Sequence, residues 1–248
     1  DWATDTRTRL PWLLALLPLA GLAVGWIYHR WGQSVEAGNN LLIDDIHEPR
    51  AVVPLRMAPM VLGGTLVSNL YGASVGREGT AVQMGAALAD QFTHLFSLGR
   101  DDRRILLMAG ISAGFASVFG TPLAGAMFGL EVLAIGRLRY DALFPCMVAA
   151  IVADQVTLLW GAHHTHYLIG SVPAVSAQGL AAMLIAGALF GLIGRVFAAA
   201  THALAGWMKR TFPYGPVRPL IGGALVAGAG GLFGADRVPT GPSWKAHD

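Results

Sequence analysis

The chain has 248 residues, of which 54% are hydrophobic, only 13% are charged and 32 are glycine, with a net charge of +2. Soluble domains carry about 25% charged residues, so this composition excludes an ordinary water-soluble enzyme, a nucleic-acid-binding protein and a disordered tail. The glycine content, without a Gly-X-Y repeat, instead predicts closely packed membrane helices.

Long uncharged segments recur along the chain at the length of one bilayer crossing, about 20 residues. We predict six or more membrane helices from them, although some segments are too short or too long for one clean crossing. In chain order the segments are 11–28, 57–76, 105–130, 142–160 with Asp154 inside it, 172–208 with Arg195 and His202 inside it, and 219–235.

Basic residues indicate how these helices are oriented. Arg137 and Arg139 precede the segment that ends at 160, and Lys209 and Arg210 follow the next long segment. Two crossings separate the two clusters, so both lie on one side of the membrane, which the positive-inside rule makes cytoplasmic.

Prolines and glycines interrupt the segments, and such breaks at membrane depth are tolerated where they are buried in protein or line a polar cavity. One break is predicted at 120–122, Gly-Thr-Pro, where a helix ends near Phe119 and another begins at Pro122. A second lies at 38–40, Gly-Asn-Asn. There Gly38 would let the backbone approach an anion and Asn39 would direct an amide N–H toward it. Helix packing alone explains any single glycine equally well.

The segment 76–80, Gly-Arg-Glu-Gly-Thr, lies between an uncharged segment and a helical pattern that continues to about Phe96. A glutamate near membrane depth is costly and usually functional. The helix start at Gly79 and Thr80 offers free N–H groups and a positive dipole end to an anion. Glu78 is itself an anion, which a substrate anion displaces or a proton neutralises, so the segment predicts a gate that couples anion and proton movement. Arg77 either attracts anions and neutralises Glu78, or holds the loop through backbone carbonyls.

Two motifs in this order carry a family resemblance. The first is G-R-E-G at 76–79 with V-Q-M-G at 82–85, and the second is A-G-F-A-S-V-F-G-T-P-L-A-G at 113–125 with F-G-L-E at 128–131. Together they resemble the CLC family of chloride channels and anion/proton antiporters, over about Trp12 to Phe233. The resemblance implies an all-α integral membrane protein with the CLC-type inverted-repeat fold and its broken and re-entrant helices. We expect a partial fold without the first crossing helix, as one transmembrane unit over 1–248. Residues 11–170 would form most of the first repeat and 171–248 the start of the second.

Departures from the family pattern resemble its fluoride/proton antiporter branch. The segment 38–42, G-N-N-L-L, stands in place of the family's G-S-G-I-P turn, and Thr80 stands in place of a proline. Val132 occupies the position at which proton-coupled chloride transporters often carry an inner relay glutamate. In the fluoride branch Asn or Met replaces the central serine, and Asn39 lies where that change is expected. The resemblance therefore implies Glu78 as the gating and proton-transfer residue, and Gly38, Asn39, Arg77, Gly79 and Thr80 as anion-binding residues.

The function implied by this resemblance is fluoride export coupled to proton import, in the inner (plasma) membrane of a prokaryote. The partners implied are fluoride or chloride ions, protons, membrane lipid and, in the intact protein, a second copy that packs partly on the helices between Pro122 and Trp160. No cofactor, metal or nucleic acid and no covalent catalysis are expected. A chloride channel or chloride/proton antiporter of the same fold is the alternative.

Three further features point to other chemistry or remain open. Residues 110–114, G-I-S-A-G, match the nucleophile elbow of serine hydrolases, which needs a strand before its helix. Ser112 lies instead inside an uncharged run, so an intramembrane serine hydrolase is a remote alternative. The loop 163–166, His-His-Thr-His, has no carboxylate or cysteine close in sequence to complete a metal site, which favours a loop at the membrane surface. Asp154 either pairs within the bundle, which is the expected arrangement, or faces the outer water, and Arg195 is either its partner or extends its side chain toward the membrane surface.

Overall fold

The computed structural model describes residues 6–7, 9–32, 38, 53–131, 140–162, 164 and 176–233, and the regular structure within these residues is helical. A short 3-10 helix, Pro11–Leu16, leads directly into the first α-helix, and another, Tyr140–Ala142, precedes the sixth. The α-helices are α1 (Leu17–Trp31), α2 (Met57–Leu70), α3 (Glu78–Leu95), α4 (Arg100–Phe119), α5 (Pro122–Glu131), α6 (Leu143–Leu159), α7 (Ala177–Thr211) and α8 (Val217–Phe233).

Among the described residues, three helical stretches are long and apolar enough to cross a membrane by themselves: Pro11–Trp31, Tyr140–Leu159 and Ala177–Thr211. The apolar helices Met57–Leu70 and Val217–Gly230 are shorter. The prediction of six or more crossings therefore corresponds here to a few full-length spans accompanied by shorter and broken helices. An all-α membrane protein with broken helices, as the sequence predicted, is confirmed.

The predicted break at 120–122 divides one long uncharged segment into α4 and α5. Gly120 adopts the left-handed conformation, with φ at 65° and ψ at 31°, and its N–H donates to the carbonyl of Ala116 at 2.8 Å. Left-handed backbone strains any residue with a Cβ, so glycine is the natural helix end here. Pro122 then begins α5, where its missing N–H costs no helix hydrogen bond. A Cβ atom at Gly120 would also collide with the imidazole ring of His164.

The core forms around α4, which packs against α3, α5 and α6. Its inward side chains Leu107, Met108 and Ile111 are buried together with Met57 from α2 and Cys146 from α6. Helices α1 and α8 form a second pair, in contact with each other and, through α1, with α2. Helix α7 buries none of its residues within the chain. The bundle that positions the helix start at Glu78 is therefore α2 to α6.

Asp154 is buried on α6, and its carboxylate lies 3.8 Å from His164 Nε2, which makes an ion pair when the imidazole is protonated. The prediction that Asp154 pairs within the bundle is confirmed. The candidate partner Arg195 was wrong, because it is exposed on α7. His164 belongs to the loop predicted at the membrane surface, yet its side chain is only 14% exposed. The other histidines of that loop lie outside the described residues.

Asp90 fixes α3 to two other parts of the chain, although it is 0% exposed. Its carboxylate accepts two hydrogen bonds from the guanidinium of Arg103 on α4, at 2.6 and 2.8 Å. It also accepts the backbone N–H of Val53 at 2.7 Å, while the neighbouring Gln91 side chain donates to the Val53 carbonyl at 3.1 Å. Bidentate Arg–carboxylate geometry is strong and directional. The segment that leads into α2 is therefore clamped on α3, and α3 on α4.

We predict that Asp90→Ala lowers stability by about 3 kcal/mol or more, because it leaves the half-buried guanidinium of Arg103 without its carboxylate. The measurement is the midpoint of thermal unfolding in detergent. Asp101→Ala is the matched control. Its carboxylate is 78% exposed, and its ion pair with Arg104 spans 3.7 Å, so its loss is expected to cost less than about 1 kcal/mol. Equal losses in the two variants would contradict the clamp.

Candidate functional site

The start of α3 carries the motif that the sequence analysis singled out. The helix begins at Glu78, and Arg77 at the N-cap position makes no side-chain capping bond. The first backbone hydrogen bond of this turn runs from the N–H of Ala81 to the carbonyl of Arg77 at 3.0 Å. The N–H groups of Gly79 and Thr80 precede it and have no helix carbonyl to receive them. The predicted helix start with free donors is confirmed.

Gly79 and Thr80 line a cavity of about 320 Å³ between α1, α2 and α3. Its volume is sufficient for on the order of ten water molecules, each of which takes about 30 Å³. The cavity is lined by Tyr28 from α1, by Gly76 just before α3, and by Gly79 and Thr80 from the first turn of α3. Its other lining residues among those described are Val24, Val61, Gly64, Thr65, Ser68, Val75 and Gln83. The wall is therefore apolar on one side and carries hydroxyl and amide groups around the helix start.

A hydroxyl pair joins α2 to α3 in the cavity wall. Thr65 Oγ1 and Thr80 Oγ1 lie 2.6 Å apart, and either can be the donor. The two residues are 8% and 9% exposed. On the same face of α2, the Asn69 side chain donates to the carbonyls of Thr65 and Val75, at 3.0 and 3.4 Å. These bonds hold both the first turn of α3 and the segment that enters it.

Glu78 and Arg77 are exposed and do not line the cavity. The carboxylate of Glu78 folds back over Gly76, where an added Cβ would lie 2.6 Å from Glu78 Oε2. Because Gly76 lines the cavity, the carboxylate lies at its rim. The structure thus brings Gly79 and Thr80 into the cavity, with Glu78 beside it and Arg77 outside.

Gly38 lies close to the cavity through Gln83. It has a φ of 57°, and a Cβ atom there would lie 3.3 Å from Gln83 Nε2. This left-handed backbone conformation favours glycine at the position, whereas the predicted close approach of an anion to Gly38 stays a prediction. Asn39, which follows it, and Val132 lie outside the described residues, so their predicted roles stay predictions.

Glycines hold α3 directly against α4, within two turns of the start of α3. A Cβ atom at Gly85 would collide with the carbonyl of Gly110, and a Cβ at Gly114 with the carbonyl of Ala81. The two helix backbones are therefore in contact at both places. Such contact requires residues without side chains. These glycines support packing, and they fix the α3 start by fixing the helix behind it.

Sequence reasoning missed part of the cavity wall, namely Tyr28, Thr65, Ser68 and the side chain of Gln83. A signal for the α2 residues was present, because Val61, Thr65 and Ser68 recur at the spacing of one helix face. Hydroxyl groups on such a face, in an otherwise apolar helix, indicate a polar neighbour. Gln83 belongs to the V-Q-M-G motif, and it follows Thr80 by one helical turn. That spacing places the two side chains on the same face of α3, which indicates that both line the cavity.

The remaining chemical candidates find no support. Ser112 lies in the middle of α4, is 0% exposed, and donates its hydroxyl to the carbonyl of Met108 at 2.9 Å. A nucleophile elbow needs an exposed serine on a sharp turn between strand and helix. Within the described part of the chain, no three His, Cys, Asp or Glu side chains are grouped as a metal site would require.

We predict that Gly85→Ala forces α3 away from α4 and lowers stability by about 1–3 kcal/mol, because the added methyl meets backbone that cannot move aside. The thermal unfolding midpoint is again the measurement. Gly187→Ala in α7, where nothing lies within 4 Å, is the matched control. It is expected to be neutral or to stabilise by up to about 1 kcal/mol through better helix propensity. An unaffected Gly85→Ala variant would contradict the backbone contact.

Comparison with known proteins agrees with this architecture. The model of the voltage gated chloride channel family matches residues 20–240. A "chloride/fluoride channel protein" of Pseudomonas syringae pv. tomato is 64% identical over 236 residues, which are 95% of this chain and 52% of that protein. An "H(+)/Cl(-) exchange transporter ClcA" of Vibrio parahaemolyticus is 30% identical, covering 94% of this chain and 53% of the relative.

Solved structures show the same fold. A crystal structure of a CLC-type fluoride/proton antiporter has 32% identity and a TM-score of 0.88, and covers 93% of this chain and 58% of that one. A slow cyanobacterial Cl⁻/H⁺ antiporter matches with a TM-score of 0.75 and 22% identity, over 91% of this chain and 56% of the other. The chain spans about half the length of the curated relatives it matches. It belongs to the voltage gated chloride channel (CLC) family.

Proposed function

We propose that the natural protein containing this sequence exports fluoride across the inner membrane of a prokaryote in exchange for protons. The observation that carries the proposal is the start of α3, where Gly79 and Thr80, whose N–H groups have no helix carbonyl to receive them, line a cavity beside the carboxylate of Glu78. Two similar proteins are named a chloride/fluoride channel protein and a fluoride/proton antiporter, and these names support fluoride as the transported ion.

The donors around the cavity suit a small anion. Fluoride is small and tightly hydrated, so a site must replace much of its water shell with strong hydrogen-bond donors. Backbone N–H groups at a helix start are oriented before the ion arrives, and the helix dipole favours negative charge there. We assign anion binding to Gly79 and Thr80, to Gly38, which lies close to Gln83, and to Asn39, which follows Gly38 in the sequence. The exposed Arg77 raises the local anion concentration at the entrance.

Glu78 acts as the gate in this proposal. Among the described residues its carboxylate has no hydrogen-bond partner, and it lies at the rim formed by Gly76. The side chain is therefore free to change rotamer, a motion that exposed side chains complete in picoseconds to nanoseconds. When ionised, it competes with the anion for the α3 donors. When protonated, it no longer competes and carries the proton across, so proton movement is coupled to the passage of the anion.

Val132 restricts the proton route. A valine side chain has no titratable group, so the inner relay that a glutamate would supply at this position is absent from the sequence. We infer that protons use Glu78 itself. The mechanism uses ion movement alone and requires no cofactor and no covalent chemistry.

The proposal extends to the assembled protein. We assign residues 11–170 to most of the first repeat of the fold and 171–248 to the start of the second. Exposed apolar side chains cover α5 and α6, with Leu123 67% and Phe144 77% exposed. We propose that this surface contributes to a homodimer interface and that the remaining apolar surface contacts lipid.

A chloride-selective channel or exchanger is the second candidate, because the Vibrio relative is named an H⁺/Cl⁻ exchange transporter at 30% identity. The deciding experiment reconstitutes the natural protein that contains this sequence into liposomes loaded with fluoride or chloride. Efflux is followed with ion-selective electrodes and proton uptake with an internal pH dye. Faster fluoride efflux with proton uptake is expected. A preference for chloride would end the fluoride proposal.

We predict that Glu78→Gln abolishes proton coupling, because the amide resembles the protonated carboxyl group in shape and cannot release a proton. Anion movement that persists is expected to run without proton uptake at every pH tested. Glu131→Gln is the control, since it changes an exposed glutamate at the far end of α5 and is expected to leave coupling intact. Coupling that survives in Glu78→Gln would remove Glu78 from its assigned role.

A further inference from the structure

We propose that Thr65 and Thr80 form a selectivity-determining hydroxyl pair, which presents one O–H donor to a small, strongly hydrated anion in the cavity. The inference rests on the proposed function, and it extends the anion site to a side chain of α2 that the motif does not contain. Thr80 contributes through its side chain here, in addition to its backbone N–H.

The geometry leaves one hydroxyl proton for the cavity. The two oxygens lie 2.6 Å apart, so one hydroxyl donates to the other and uses one of the two protons. Among the described residues, each of these hydroxyl oxygens has no hydrogen-bond partner other than its counterpart. The second proton therefore needs another acceptor. Both residues line the cavity and are more than nine-tenths buried, so that acceptor is a water molecule or an anion within it.

The pairing strengthens the free donor. A hydroxyl that accepts a hydrogen bond is polarised and donates more strongly through its own O–H. Because either threonine can be the inner donor, the outward proton can come from α2 or from α3 without movement of either helix.

The surroundings reinforce this donor. Tyr28, Ser68 and Gln83 line the same cavity, and each carries a group that donates hydrogen bonds. The described lining residues include no carboxylate that would repel an anion. Thr80 is held by α3, which is itself held on α4 by Gly85, Gly110 and Gly114. The hydroxyl pair is thus a fixed donor within a group of donors.

A fixed hydroxyl donor favours fluoride over chloride on physical grounds. Fluoride concentrates the same charge in a smaller volume, so it accepts shorter and stronger hydrogen bonds and loses more when one donor is removed. Hydrogen bonds to charged groups carry enough free energy to change a binding ratio by on the order of tenfold or more. Valine has nearly the shape of threonine but lacks the hydroxyl group. Replacing both threonines with valine therefore removes the hydroxyl donors with little change in side-chain shape.

The test compares Thr65→Val, Thr80→Val and the double variant with Thr65→Ser and Thr80→Ser. All are made in the natural protein that contains this sequence and reconstituted in liposomes. The ratio of fluoride to chloride flux is measured, together with the separate stabilisation of each purified variant by sodium fluoride and sodium chloride. Each single valine variant leaves one hydroxyl proton for the cavity but removes the partner that polarises it, so it is expected to lower fluoride preference by less than the double variant. The double valine variant removes both hydroxyl donors and is expected to lower fluoride preference by on the order of tenfold, whereas the serine variants are expected to retain it.

Thr93→Val is the matched control on the same helix. Its buried hydroxyl donates to the carbonyl and carboxylate of Asp90, at 2.5 and 3.1 Å, away from the cavity. This variant is expected to lose stability and keep its ion preference, which separates selectivity from folding. If a valine variant does not accumulate as folded protein, Thr65→Cys supplies a weaker donor of similar size and is expected to lower fluoride preference.

The outcomes separate this inference from the proposed function. If the unchanged protein favours fluoride and the valine or cysteine variants do so equally, the hydroxyl pair is overturned and fluoride export stands. A loss of preference in the serine variants as great as in valine would also overturn it, because a hydroxyl is still present. If the unchanged protein exchanges no fluoride for protons, the proposed function fails and the inference fails with it.

Discussion

The structure depends on one constraint, which is that polar backbone groups inside an apolar bundle need polar neighbours. The N–H groups at the start of α3 have no helix carbonyls to receive them. In a membrane, such groups persist only where they are buried against protein or face a polar cavity. The cavity wall of Thr65, Thr80 and Gln83 provides that setting. Helix α3 is held in this position by its contacts with α2 and α4.

Two different interactions hold it there, one at each end of α3. Toward its beginning, the glycine contacts with α4 bring the two backbones together, and shape alone fixes their distance. Toward its other end, the buried carboxylate of Asp90 joins the guanidinium of Arg103 and the backbone of Val53. Packing that depends on small residues is sensitive to any added methyl group, whereas the ion pair is sensitive to the loss of one charge. The start of α3 is thereby held in place by residues that do not line the cavity.

The sequence predicted the elements more fully than their contacts. The break at Gly120 and Pro122 was predictable because both residues have strong backbone preferences that act locally. The helix start at Glu78 was likewise read from the motif. Asp90 was missed because its partners are 37 and 13 residues away, and no local pattern shows that separation. For the same reason, charge alone suggested Arg195 for Asp154, whereas the structure pairs it with His164. The cavity wall combines residues from three helices, so it could not be predicted without knowing how those helices pack together.

The length of α7 has a consequence for how the protein sits in lipid. A helix of 35 residues rises about 52 Å, whereas hydrocarbon is about 30 Å thick, and helices tilt by about 20° on average. About 21 residues then suffice for the crossing, and the 18 uncharged residues that open this helix, 177–194, nearly fill that length. The end bearing Arg195, His202, Lys209 and Arg210 emerges among the phospholipid headgroups. The basic side chains lie near lipid phosphate groups there, so we expect the helix to bind more strongly to bilayers rich in acidic phospholipid.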